Sequence, residues 1–163
     1  MEFTIEKAAL DQALKTVQFA LLTRPSMPVL NNVHICAKED SVSFSLSDME
    51  IDICCTADAQ VSSIGSTTLP ARRLISIVRK LPEQAINIRL DADEFTHINS
   101  GVIYYCLLGI SSSEFPHALS ELPENKLVLP KTLLQRMMIN TSFACGQDSS
   151  RPATLGPLLE INH

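Results

Sequence analysis

Residues 3–20 read FTIEKAALDQALKTVQFA, and a change of period inside this stretch decides the fold class. Phe3 and Ile5, with Met1 just upstream, alternate with polar residues at the two-residue period of a short strand. From Lys7 the spacing changes. Leu10, Leu14, Val17 and Leu21 recur at three to four residues, and Lys7, Asp11, Lys15 and Gln18 run along the opposite side of the same helix. A strand that leads at once into an amphipathic helix predicts a helix laid on a sheet.

The rest of the first 124 residues extends this pattern. RPSMP (24–28) carries two prolines that forbid helix, and VLNNVHICA (29–37) reads as a strand. SVSFSLS (41–47) alternates Val42, Phe44 and Leu46 with serines, after a tight turn at Glu39-Asp40. DMEIDICC (48–55) is expected to be a strand with Met49, Ile51 and Ile53 on one face and Asp48, Glu50 and Asp52 on the solvated one. AINIRL (85–90), FTHINS (95–100) and VIYYCLLGI (102–110) add three more. With a second helix inside TTLPARRLISIVRKLPE (67–83), the expectation is an α+β domain of two helices and about seven strands in antiparallel sheets.

The opening stretch also recurs. LVLPKTLLQRMMINTSFA (127–144) lies over residues 3–20 at a constant offset of 124, with Lys7, Leu10, Leu14, Phe19 and Ala20 falling on Lys131, Leu134, Met138, Phe143 and Ala144. Further on, Arg24-Pro25 falls near Arg151-Pro152 and PVLNNVHI near ATLGPLLEI. The expected organisation is one complete unit over 1–124, then at 125–163 the strand-helix-loop-strand start of a second. A unit that stops there cannot bury its own sheet, so the sequence reads as a truncated one.

The charge is arranged unevenly. The 163-residue chain has 18 Asp+Glu against 13 Lys+Arg, a net −5, yet the second helix carries Arg72, Arg73, Arg79 and Lys80 and no acid. Its apolar positions Leu74, Val78 and Leu81 keep helical spacing, while Arg72, Ser76 and Arg79 keep the same spacing opposite. An acidic protein contacts nucleic acid only where positive charge is concentrated on one surface, and this helix is such a concentration. A solvated face of snorkelling cations is the alternative.

Other classes find little support. With no Trp and only two Tyr, aromatic base-stacking platforms are few. No run approaches the length of a membrane span, and MEFTIEKAAL is not a secretory signal. The five cysteines lack CxxC spacing and are expected to be reduced and mostly buried, as in a cytoplasmic protein. Cys54-Cys55 divides between the two faces of a strand, and His34, His97 and His117 have no ligand spacing. SSSEFPH (111–117) is not a triad, and no phosphate-loop, dinucleotide or zinc-protease motif is present. No metal, no cofactor and no catalytic residue is expected.

Six stretches taken together resemble the bacterial β sliding clamp, the processivity subunit of DNA polymerase III. They are RPSMPVLNN (24–32), SDMEIDI (47–53), TTLPARRLISIVRKLPE (67–83), SGVIYYCLLGI (100–110), EFP (114–116) and LVLPKTLLQRMM…TSFACGQDSSR (127–151). The resemblance implies a non-catalytic subunit of three repeated domains, closed head to tail with a second subunit into a ring. Sheets would form its outer wall, and helices would line a hole around duplex DNA.

For the site, the resemblance implies sequence-independent phosphate contacts from Arg72, Arg73, Arg79 and Lys80, with Arg24 and Gln147 on loops and Lys7 and Lys15 on the first helix as further DNA-contacting candidates. Asp11 lies between those two lysines and weakens their field. Tyr105 and Leu107 fall on the strand that joins a neighbouring subunit in the family, or else are core residues of an internal strand. The replicative polymerase and clamp loader are implied partners, through a groove that is mostly beyond this sequence. One departure stands out: Pro152 and Ala153 occupy positions where the family carries tyrosines that grip DNA. The alternative function is a clamp paralogue that caps another clamp subunit through its Tyr105 edge.

Overall fold

The structure, a computed structural model, describes residues 1–21, 27–116, 127–146, 150 and 152–160. The chain divides into two compact units, Met1–Ser120 and Glu121–His163.

The first unit opens with β1 (Glu2–Glu6), α1 (Lys7–Val17) and a 3-10 turn, Gln18–Ala20. A second 3-10 turn, Pro28–Asn31, leads into β2 (Asn32–Lys38), β3 (Ser41–Ser47), β4 (Asp52–Asp58), β5 (Gln60–Ser63) and β6 (Gly65–Pro70). Then come α2 (Ala71–Lys80), β7 (Ala85–Leu90), β8 (Phe95–Ser100) and β9 (Ile103–Leu108). The strands form two antiparallel sheets, ordered β5-β1-β7-β8-β9 and β4-β3-β2-β6.

One core joins helices and sheets. Leu10, Leu14 and Val17 of α1 and Leu74 and Val78 of α2 meet Phe3, Ile35, Phe44, Leu46, Ile86 and Ile88, all essentially inaccessible to solvent. Burying each such side chain stabilises the fold by roughly 1.5–3 kcal/mol. Pro70 is the N-cap of α2, with its φ of −54° already suited to the chain's entry into the helix.

The two sheets are also stitched together beyond β9. Ile110 pairs with Thr68 of β6 through both backbone bonds, each 3.2 Å, and the Thr68 hydroxyl donates to the Ile110 carbonyl at 2.8 Å. Asn32 in turn donates to that hydroxyl at 3.0 Å, so the buried Thr68 hydroxyl is engaged both as donor and as acceptor. Gly109 makes the seam possible, since a Cβ there would lie 2.5 Å from the Thr68 carbonyl oxygen.

Three expectations are corrected in this unit. Residues 48–51 are a turn, and β4 starts only at Asp52. The Asp48 carboxylate accepts the amide hydrogens of Ile51 at 2.6 Å and Glu50 at 2.9 Å, while Met49 takes a left-handed φ of 76°. This local closure defeats the apparent alternation and leaves Met49 and Ile51 exposed. The same two bonds, led by Ile51, hold the Asp48 carboxyl below its ordinary pKa.

There are nine strands among the described residues, not seven. β5 has only four residues, and in β6 Thr67, Thr68 and Leu69 are buried consecutively, so neither shows a two-residue period. Finally, all five cysteines are free but none is buried; Cys54 and Cys106 are exposed. Cys36, Cys54 and Cys106 lie on strand faces turned from the core, Cys55 packs against its margin, and Cys145 follows α3 (Lys131–Ser142) in the second unit.

The second unit contains α3 (Lys131–Ser142) and a 3-10 turn, Pro152–Thr154. The helix starts 124 residues after α1, and the turn 124 residues after Pro28–Asn31. Pro152 thus lies 124 residues after Pro28, while Arg24, Pro25 and Arg151 of the nearby match lie outside the described residues. Neither flanking strand expected in this unit is formed among the described residues. Leu134, Met137, Met138 and Ile139 of α3 are all exposed, and α3 has no buried residue among those described.

Candidate nucleic-acid interface

α1 and α2 pack beside each other and turn their outer faces to solvent. In α2 the alternation of function is complete. Ala71, Leu74, Ile75, Ile77 and Val78 are buried, while Arg72, Arg73, Ser76, Arg79 and Lys80 are exposed. At about 100° per residue, these five exposed positions fall within an arc of about 120°. The fold thus uses the apolar side of α2 for the core and aims all four of its cations outward.

The helix α1 contributes differently. Lys15 is half-exposed and pairs with Asp11 at 2.6 Å, one turn earlier. Such an exposed pair is worth little and leaves Lys15 able to exchange partners. Lys7 is largely covered, with 13% of its side chain accessible, and is ion-paired with Glu83. That pair ties the start of α1 to the segment after α2. Among the described residues, no ion pair or side-chain hydrogen bond engages Arg73 or Lys80.

The two helices meet near their C-terminal ends, where Arg79 donates to the Gln18 side-chain oxygen at 3.2 Å. There Gln12, Lys15, Thr16, Gln18, Phe19 and Arg79 line a shallow cleft of about 400 Å³. Lys15 and Arg79, named separately from the sequence, therefore share one concavity. Together α1 and α2 hold six cations and a single carboxylate, so seventeen of the eighteen acids lie elsewhere in the chain. Arg24 and Gln147 lie outside the described residues.

β9 has only β8 as a neighbour in its sheet and is therefore an edge strand. Tyr105 is 36% exposed, but Leu107 is buried in the unit's own core. Of the two candidates for a subunit contact, Tyr105 presents its side chain, whereas Leu107 offers only backbone. Tyr104, on the other face, is pinned by a network that sequence reasoning missed. Its hydroxyl lies 2.8 Å from His97 Nδ1, and His97 Nε2 lies 2.9 Å from Asp91. The His97 bond holds the Asp91 carboxyl below its ordinary pKa. The strand register placed these residues together, and no spacing in the sequence announces it.

Among the described residues no group of three or more His, Cys, Asp or Glu side chains could hold a metal ion. No helix among them is long and apolar enough to cross a membrane.

Comparison with known proteins agrees with the fold. A sequence model described as "DNA polymerase III beta subunit, N-terminal domain" matches residues 1–120. A beta sliding clamp of Chlamydia muridarum is 32% identical over 167 residues, covering 100% of this chain and 44% of that protein. The beta sliding clamp of Bacillus subtilis is 33% identical over 165 residues, covering 96% and 43%. The crystal structure of the DNA polymerase sliding clamp from Bacillus subtilis superposes with a TM-score of 0.87 at 32% identity, over 93% of this chain and 42% of that one. The chain thus spans less than half the length of the relatives it matches. It belongs to the DNA polymerase III beta subunit, N-terminal-domain family.

Proposed function

We propose that this chain supplies the first domain, and the opening of the second, of a non-catalytic sliding clamp subunit that confers processivity on a replicative polymerase. Its α1–α2 face would contact the backbone of duplex DNA without reading sequence. The observation that carries this reading is the exposure of all four α2 cations on one face of a chain with net charge −5. Cations spread along a helix suit evenly spaced phosphates, and such contacts position a duplex without specifying bases. Arg72, Arg73, Arg79 and Lys80 are the main contacts in this proposal, and Lys15 is an auxiliary one. Lys7 is a positioning residue, since its charge is already engaged by Glu83.

In this reading the edge of β9 is where a neighbouring subunit pairs, through backbone bonds and Tyr105. The second reading, a module that caps another clamp subunit, uses the same edge and is favoured by its exposure. Size-exclusion chromatography with an intact clamp tests that shared edge, co-elution supporting it and separate elution contradicting capping, while salt-dependent duplex binding is expected only of the first reading.

The electrostatic reading has a direct test. With about four phosphates neutralised, the log–log slope of affinity for a blunt duplex against salt is expected to be about −3 to −4. Fluorescence anisotropy of a labelled duplex measures it. An affinity that does not change with salt would overturn the phosphate assignment.

A further inference from the structure

The cleft between the helix ends contains one residue that a phosphate-binding surface does not need. Phe19 is 83% exposed, although the chain has only six phenylalanines and buries others completely. Its position explains how it comes to point outward. Gln18–Ala20 is a single 3-10 turn, in which successive side chains diverge by about 120°. Ala20 is the residue that turns into the core, at 2% exposure, which leaves Phe19 facing solvent. The ring then forms one wall of the cleft whose other walls are Lys15, Arg79 and the amides of Gln12 and Gln18.

We propose that this cleft binds an unpaired nucleotide of single-stranded DNA, with its base stacked on Phe19 and its phosphate held by Lys15 and Arg79. Stacking platforms bordered by cations are how proteins hold single strands without reading sequence. A base paired inside a duplex keeps its faces against its neighbours and cannot offer one to Phe19. A strand leaving a duplex can. The amides of Gln12 and Gln18 supply both donors and acceptors, which suits the edge of any base. This inference rests on the proposed reading of the α1–α2 face and adds a second kind of ligand to it. On this account the face holds duplex along the α2 cations and a single strand at the helix ends.

The chain has no tryptophan, so Phe19→Trp places a lone fluorophore at the site. That variant of the full chain would be titrated with a short oligo(dT) and, separately, with a blunt duplex, with anisotropy of the labelled DNA recorded in parallel. The expected result is strong quenching of Trp emission by oligo(dT) and little by the duplex. In Phe19→Ala, affinity for oligo(dT) is expected to fall about tenfold, with duplex affinity unchanged within about twofold. Oligo(dT) binding without quenching, or an equal loss on both ligands in Phe19→Ala, would overturn this inference while leaving the duplex reading intact. Absence of any binding in the anisotropy channel would overturn both.

Discussion

Replacing Arg72, Arg73, Arg79 and Lys80 together by alanine is expected to remove nearly all of the salt-dependent affinity for duplex DNA. The reason is counterion release. Each phosphate neutralised contributes about −0.9 to the log–log salt slope, so four contacts imply a fall in affinity of about a hundredfold between about 50 and 200 mM salt. The alanine variant is expected to change by no more than about threefold over that range, the remainder coming from Lys15. Its fold should persist, because all four side chains are exposed and alanine favours helix. Circular dichroism and the urea midpoint check that point. Lys7→Ala is the informative control. Lys7 is paired with Glu83 and mostly covered, so its loss should leave the slope almost unchanged. A quadruple variant that binds with an unaltered slope would place the phosphate contacts elsewhere.

The second large effect concerns stability and uses the repeat itself. Leu10 and Leu134 are the same residue type, in the same position of helices that start 124 residues apart. Leu10 is wholly inaccessible, whereas Leu134 is 42% exposed. Leu10→Ala removes buried methyl groups and leaves a cavity between α1 and the sheets, at an expected cost of about 2–5 kcal/mol. Leu134→Ala removes a side chain that fills no enclosed space, and its expected effect is within about 0.5 kcal/mol. Urea unfolding of the two variants, followed by far-ultraviolet circular dichroism, measures both. Equal losses would mean that α3 is packed as tightly as α1, contrary to its exposed apolar face.

Much of this arrangement was legible before any coordinates. The period change at Lys7 marks the start of α1, and the apolar spacing at Leu74 and Val78 marks the buried side of α2. Both signals are strong because each helix must bury one stripe against the sheets. The cationic face of α2 follows from the same spacing, read on the opposite side.

What was not legible has physical reasons too. The turn at 48–51 alternates apolar and acidic residues as a strand would, but the Asp48 carboxylate closes it by capturing two backbone amides. β5 and β6 were missed because short length and consecutive burial erase the two-residue signal. Leu107 sits on an edge strand yet faces inward, and only strand pairing reveals that. Phe19 falls beside Gln18 on a helix end, where a periodicity argument sees only a frayed turn. Its exposure depends on which residue of the 3-10 turn enters the core.

Binding DNA is a weaker claim than binding it on one surface, and the second is what a clamp requires. Backbone amide chemical shifts of the isotope-labelled chain, followed during titration with a blunt duplex at low salt, locate that surface residue by residue. The expected perturbations gather on α1 and α2, around Lys15, Arg73, Arg79 and Lys80, and leave His34, Ser43 and Cys54 on the far sheet face unmoved. Shifts centred on that sheet, or scattered over the whole first unit, would contradict the account.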